Sequence, residues 1–326
     1  FDNRLTGSFD YYQRYTYDMV GPAPTLPGIL GASAPKINNA DMKSYGWEME
    51  LSWRDRIEDF NYGVRFTLAD GQRKVLKYPN ESGDIYSWYN NKLDGTIWGY
   101  TTVGIAQTQE EMNAHLANNK PNWGSNWGAG DIMYADLNGD GEVTSGSKTL
   151  NDHGDLKVIG NSYARYNFGF TVDGSWRGLD FSIFLQGTMK RDYWLDGPYF
   201  WGASGDEWQS ACFTEHLDYW TPEHTNAYYP KPYFGNIKKN QEVQSGYLQN
   251  AAYLRVKNVQ VGYTLPKSWT KKAAMESVRF YVSGDNLLTW TGISSIFDPE
   301  TLGGDWGPGK LYPLQRTLSV GVNVNF

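Results

Sequence analysis

From Leu314 to its last residue the chain settles into a period of two. Leu318, Val320, Val322, Val324 and Phe326 alternate without a break against Thr317, Ser319, Gly321, Asn323 and Asn325. Such a period is a β-strand with one apolar and one polar face, and it ends on an aromatic carboxy-terminal residue. A soluble sheet hides the apolar face under a second layer, whereas a membrane barrel turns it to lipid and the polar face to its lumen. Alternation alone does not separate the two.

Composition narrows the choice. Aromatics make up 16% of the 326 residues, with 14 Trp and 24 Tyr, which favours interfacial girdles or a binding surface. The mean hydropathy of -0.59 and the lack of an apolar run near the ~18 residues of a membrane helix leave a barrel open, because only every second strand residue meets lipid. A net charge of -7 without a Lys/Arg cluster argues against nucleic acid. The single Cys212 rules out an internal disulfide framework. The chain opens at Phe1 with neither Met nor a basic-then-apolar leader, which is read as an internal cut in a longer protein.

Further strands follow in order. Leu5, Gly7, Phe9 and Tyr11 alternate with polar neighbours up to Arg14. Tyr45, Trp47, Met49, Leu51 and Trp53 lie against Gly46, Glu48, Glu50, Ser52 and Arg54, and a tight turn leads into Phe60, Tyr62, Val64, Phe66 and Leu68. The pattern returns with Tyr166, Phe168, Phe170 and Val172, with Leu179, Phe181, Ile183 and Leu185, and in the pair 251–265 and 277–290. Periodicity is lost in long segments at about 17–41, 71–161, 191–250 and 291–313; in the second of them Thr108 with Glu111 predicts a capped helix through Leu116.

This makes roughly eight strands whose connections alternate long and short. An outer-membrane barrel requires that parity, with short periplasmic turns and long outer loops. The expected fold is all-β, a transmembrane antiparallel barrel with a periplasmic carboxy terminus. Eight strands could close a small barrel alone, but loops of this size suit part of a larger wall. Edges left open in lipid would strand backbone groups, so another segment or chain should supply the missing strands. The competing reading is a soluble β-sandwich presenting aromatic loops to carbohydrate. An enzymatic reading, as a glycosidase, finds no placed carboxylate pair, and neither a nucleophile elbow nor a phosphate loop is present.

Two groups of residues are site candidates. Asp136, Asn138, Asp140, Gly141 and Glu142 have the spacing of the first half of an EF-hand loop, with oxygens at positions one, three and five and glycine at six. This predicts Ca²⁺, with Asp152 or Asp155 replacing the position-twelve Glu, where Ser147 stands. The plainer reading is an Asx-rich turn without an ion. Trp88, Trp98, Trp123, Trp127, Trp201 and Trp208 fall in the long loops and are candidate glycan platforms, as are Trp194, Trp220 and Trp306; packing within the loops is the plainer reading of each. His216, Glu223 and His224 lack metal-site spacing.

Several local stretches also carry a family resemblance: Tyr312-Pro313-Leu314 leading into the last strand, 252–259 (AYLRVKNV), Gly284-Asp285-Asn286-Leu287, Asp131-Ile132 before 136–141 (DLNGDG), and 219–223 (YWTPE) with Asn226 and Pro230. Together and in this order they resemble the carboxy-terminal part of SusC/RagA-type TonB-dependent outer-membrane transporters. The resemblance implies a barrel of about 22 strands, of which this chain forms the last third or so. It further implies a plug domain, amino-terminal strands and a TonB-contacting segment, all outside this chain, and a SusD-like surface lipoprotein as lid. Oligosaccharide import is the expected task, with the same importer carrying peptides as the alternative.

Overall fold

The computed structural model describes residues 1–23, 29, 31, 34–202, 212–233, 238–304 and 307–326. Eight strands form one antiparallel sheet: β1 (Leu5–Gly21), β2 (Ile37–Ile57), β3 (Phe60–Lys77), β4 (Arg165–Trp176), β5 (Leu179–Lys190), β6 (Tyr253–Thr264), β7 (Ser277–Thr291) and β8 (Thr317–Asn325). Each pairs with its neighbours in the chain, so the sheet is a simple meander with β1 and β8 at its edges.

The register carries the sequence alternation across the whole sheet. Phe9 lies opposite Met49, Met49 opposite Leu68, Leu68 opposite Phe168, and Phe168 opposite Gly187. Nearer the turns, Trp176 pairs with Leu179, Leu179 with Tyr263, Tyr263 with Phe280, and Phe280 with Val322. The apolar rows of eight strands therefore merge into one continuous face, and the polar rows into the other. Val278 and the small glycines apart, no member of those apolar rows is buried, and Val320 is 83% exposed. A large apolar side chain left in water forgoes about 1.5–3 kcal/mol, so a face this wide belongs in hydrocarbon. Among the described residues no second layer covers it, which removes the sandwich.

Short connections lie at one end of the sheet and long ones at the other. Glu58 and Asp59 join β2 to β3, Arg177 and Gly178 join β4 to β5, and residues 265–276 join β6 to β7. Arg177 (φ 46°) and Gly178 (φ 91°) both adopt left-handed conformations, the pair a two-residue hairpin needs to follow strand twist. A Cβ on Gly178 would sit 2.7 Å from the Thr264 carbonyl oxygen.

β1, β2 and β3 run for 17, 21 and 18 residues, against about 9–11 for a bilayer crossing. They project into the loop region, past the loop limits near 17, 41 and 71 expected from the alternation. The reason is local: register shifts between Thr16 and Met19 and between Asp41 and Met42 break the period of two while the ladder continues. In the extension Lys43 pairs with Lys74 and Ser44 with Arg73, as befits strands surrounded by water.

The buried core lies in the loops. Ile85, Tyr100, Ile132, Tyr134, Val143 and Leu156 from the second long loop pack with Leu195, Phe200, Trp201, Tyr229 and Tyr247 from the third and Ile293, Phe297 and Leu302 from the fourth. The second loop contains short ladders, Thr96–Gly99 with Lys157–Asn161 and Thr102–Ile105 with Ile132–Tyr134. It also holds the expected helix, α1 (Gln109–Leu116), capped by Thr108, whose hydroxyl accepts from the Glu111 amide at 3.1 Å. The Glu111 carboxylate reaches back to the Gln107 amide (2.6 Å), one residue earlier than a standard capping box.

Candidate functional site

The polar face of the sheet offers hydrogen-bonding groups along its height. Near the turns the Arg279 guanidinium crosses β6 from β7 to Asp180 on β5, with Nε 2.9 Å from Oδ1. It crosses at Gly262, where a Cβ would lie 2.4 Å from Nη2. Further up, Asn258 Nδ2 donates to Asp285 Oδ1 (2.7 Å), Thr188 Oγ1 donates to Asn167 Oδ1 (2.8 Å), and Arg65 lies 3.4 Å from Glu50.

The fourth long loop is fastened to the wall. Arg255 on β6 places Nη2 2.8 Å from Asp298 Oδ1 and Nη1 2.8 Å from Glu300 Oε1, and Lys257 Nζ lies 2.9 Å from Glu300 Oε2. Asp298 also accepts from the Glu300 and Leu314 amides at 2.9 and 3.1 Å. Burial alone would push the Asp298 carboxyl up; these amides and the guanidinium outweigh it and hold it below the usual range.

The second and third loops are joined by a buried polar cluster. Lys239 Nζ lies 2.7 Å from Asp131 Oδ2, with 1% and 0% of the two side chains exposed. The same amine donates to the Asn126 carbonyl (2.7 Å) and sits 4.3 Å from the centre of the Tyr233 ring. Asn240 donates to Asp131 Oδ1 and accepts from the Ile132 amide, both at 2.9 Å. Gln244 donates to the Tyr134 hydroxyl at 3.0 Å. Sequence reading singled out Asp131-Ile132 but missed Lys239, Asn240 and Gln244, because nothing local marks a residue whose partner lies over a hundred positions away. Lys92 in the second loop is a further buried cation: its amine donates to the Ile85, Tyr86 and Ser87 carbonyls at 2.8, 3.1 and 2.8 Å, and burial lowers its pKa.

The tryptophan candidates divide. Trp123 and Trp127 meet edge to face and pack on Tyr134, and Trp123 lies 4.6 Å from Tyr100 between ring centres. Trp98 packs beside His153, Trp88 against Tyr78, and Trp201 is buried against Tyr247 and Trp194. Trp220 is buried, with its ring N–H 3.2 Å from Gln107 Oε1. Trp208 and Trp306 lie outside the described residues. His216 bonds the Phe213 amide and His224 pairs with Asp218 at 2.7 Å.

The calcium candidates form a closed turn. Asp136 accepts from the amides of Asn138, Gly139 and Gly141 at 3.1, 2.7 and 2.8 Å, which holds its carboxyl below the usual range. Asn138 accepts from the Asp140 amide and Asp140 from the Glu142 amide. Gly141 has φ 88°, the left-handed turn that position six demands. Asp155 Oδ1 reaches back to the Leu137 amide at 2.7 Å, whereas Asp152 binds the Ser147 amide at 2.9 Å. Among the described residues no three Asp, Glu, His or Cys side chains form a group that could hold a metal ion.

No protein-family model matches the chain. The chain is 28% identical over 356 residues to TonB-dependent receptor P3 of Formosa agariphila, covering all of this chain and 33% of that protein. It is 25% identical to TonB-dependent receptor P26 of the same organism over 354 residues, again spanning 33%. To TonB-dependent receptor SusC of Bacteroides thetaiotaomicron it is 22% identical over 340 residues, covering 30% of that protein. The chain thus spans about a third of the length of the relatives it matches. Among solved structures, the RagAB peptide transporter superimposes with a TM-score of 0.72 at 22% identity, over 100% of this chain and 34% of that one. The RagAB peptide importer in its open-open state gives 0.71. The fold is that of part of a transmembrane β-barrel, and along its full length the chain resembles one third of a SusC/RagA-type TonB-dependent receptor.

Proposed function

We infer that this chain forms wall strands and outer loops of a TonB-dependent outer-membrane importer of oligosaccharides. The observation that carries the reading is the two-faced sheet: one uncovered apolar face for lipid, one hydrogen-bonding face for a lumen, and every long loop at one end. In this reading the turns and the carboxy terminus face the periplasm. The loops, bound to one another by the Lys239 cluster and to the wall by Arg255, form a chamber beneath a SusD-like lipoprotein. Energy arrives through a plug and a TonB-contacting segment encoded elsewhere in the receptor. The wall's own task is to orient cargo, and no bond is made or broken by this chain.

Glycan cargo is supported by the aromatic loops and the mixed donors and acceptors of the polar face. Peptide cargo is the second reading, favoured by the likeness to RagAB, whose structures are those of a peptide transporter. Uptake assays on cells carrying the full receptor and its neighbouring lipoprotein decide between them. Labelled oligosaccharide should enter in a TonB-dependent manner while a labelled peptide mixture stays outside; the reverse result overturns the glycan assignment, and uptake of neither overturns the importer.

Calcium at the 136–142 turn belongs to the same proposal and is supported by the spacing and by Gly141. Titration calorimetry on the chelator-treated receptor should give millimolar or tighter Ca²⁺ binding that Asp136→Asn abolishes. No heat at millimolar Ca²⁺ overturns it.

A further inference from the structure

A small compartment lies where the second and third long loops meet, about 200 Å³ in volume. Its floor is the buried Tyr100 and Leu156, 5% and 3% exposed, with the Trp123 ring beside Tyr100. Its rim is open: Tyr86, Asn122 and Lys148 are exposed and Ser145 and Glu242 half-buried. The walls come from distant parts of the chain but are firmly joined, since the Tyr100 amide donates to the Val243 carbonyl at 2.8 Å and the Ile85 amide to the Lys148 carbonyl at 3.0 Å.

The lining combines two kinds of group. Trp123, half-buried and packed on the buried Tyr100, offers aromatic surface, which suits the apolar C–H face of a pyranose ring. An amine, an amide, a hydroxyl and a carboxylate line the same compartment, giving it both donors and acceptors. Tyr100 keeps its proton, because burial, then Glu242, raises its pKa well above the ordinary value. The compartment is closed on its floor and holds one ring, whereas an extended peptide needs a groove and backbone partners on both sides. The Lys148 amine in the same lining disfavours a simple cation, which the aromatic rings alone would accept.

We propose that this compartment is a subsite for one neutral pyranose ring of the cargo, held against Trp123 above the Tyr100 floor and bonded through Asn122, Lys148 and Glu242. The proposal rests on the importer reading and names a place for its cargo. Saturation-transfer NMR on the full receptor, with methyl glucoside and methyl galactoside as probes and triglycine as comparison, tests it. At least one glycoside should receive saturation on its ring protons and bind about tenfold more weakly to Glu242→Gln, the effect of one lost charge-assisted hydrogen bond. Tyr86→Ala, at a position 55% exposed, should weaken it too while leaving the fold, read by heat-dependent gel migration, intact. If TonB-dependent oligosaccharide uptake persists but neither glycoside binds, or binding ignores both variants, the subsite is overturned and the importer stands. Triglycine binding lost in the same variants would overturn the sugar assignment.

Discussion

Removing the Lys239 amine leaves the Asp131 carboxylate buried without a cation, at a cost on the order of 3–5 kcal/mol. Lys239→Ala should therefore loosen the joint between the second and third loops, read as faster limited proteolysis near 120–131 with the sheet unaffected. The double variant with Asp131→Asn should recover part of the loss, since the buried charge goes with its partner. Glu215 joins the third loop to the fourth through the Ser294 and Ser295 hydroxyls and the Ser295 amide, the last at 3.1 Å. Burial would raise its pKa, yet these bonds together hold it below the ordinary 4.5. With the folded pKa depressed, the stabilisation is complete above pH 4.5 and is lost as pH falls through the folded value. Hydrogen exchange at 294–297 should thus be slow and level above pH 5 and accelerate in acid once corrected for intrinsic rates. Glu215→Gln should remove that pH dependence.

At the scale of the strand, the two faces of β8 make opposite demands. Val320 pairs with Val282 on the apolar face, and Ser319 with Ser283 on the polar one. Val320→Arg should cost about 2–4 kcal/mol near the bilayer midplane, while Ser319→Arg should stay within about 0.5 kcal/mol, both measured by denaturant unfolding of the receptor in lipid vesicles. Equal effects would mean that the apolar row does not face lipid. In the β4–β5 turn, Gly178→Val meets both a left-handed φ and the Thr264 carbonyl. It should slow insertion into vesicles, as hairpin registration there is lost.

For the whole molecule, β1 and β8 each have a single strand neighbour among the described residues. In hydrocarbon, every stranded backbone group costs several kcal/mol, so the proposed importer is expected to close its wall with further strands. The 326-residue chain expressed alone should not insert as a heat-modifiable monomer, and supplying the rest of the receptor should restore insertion.

The alternation of Leu318 to Phe326 and of Tyr45 to Trp53 was enough to identify the strands, their two faces and the alternation of turns with loops, because a period of two is written in adjacent residues. It failed where bulges near Met19 and Met42 slipped the phase, at Tyr166, whose left-handed φ of 55° breaks the alternation, and in the second loop, whose short ladders leave no period. The turn of 136–142 was equally legible, its bonds spanning two to five residues. That the apolar rows merge into one uncovered face, that Lys239 answers Asp131, and that Tyr100, Trp123 and Glu242 share one compartment depend on contacts between segments far apart in the chain. Such contacts are selected by the packing of the folded loops, so they were decided by the tertiary structure.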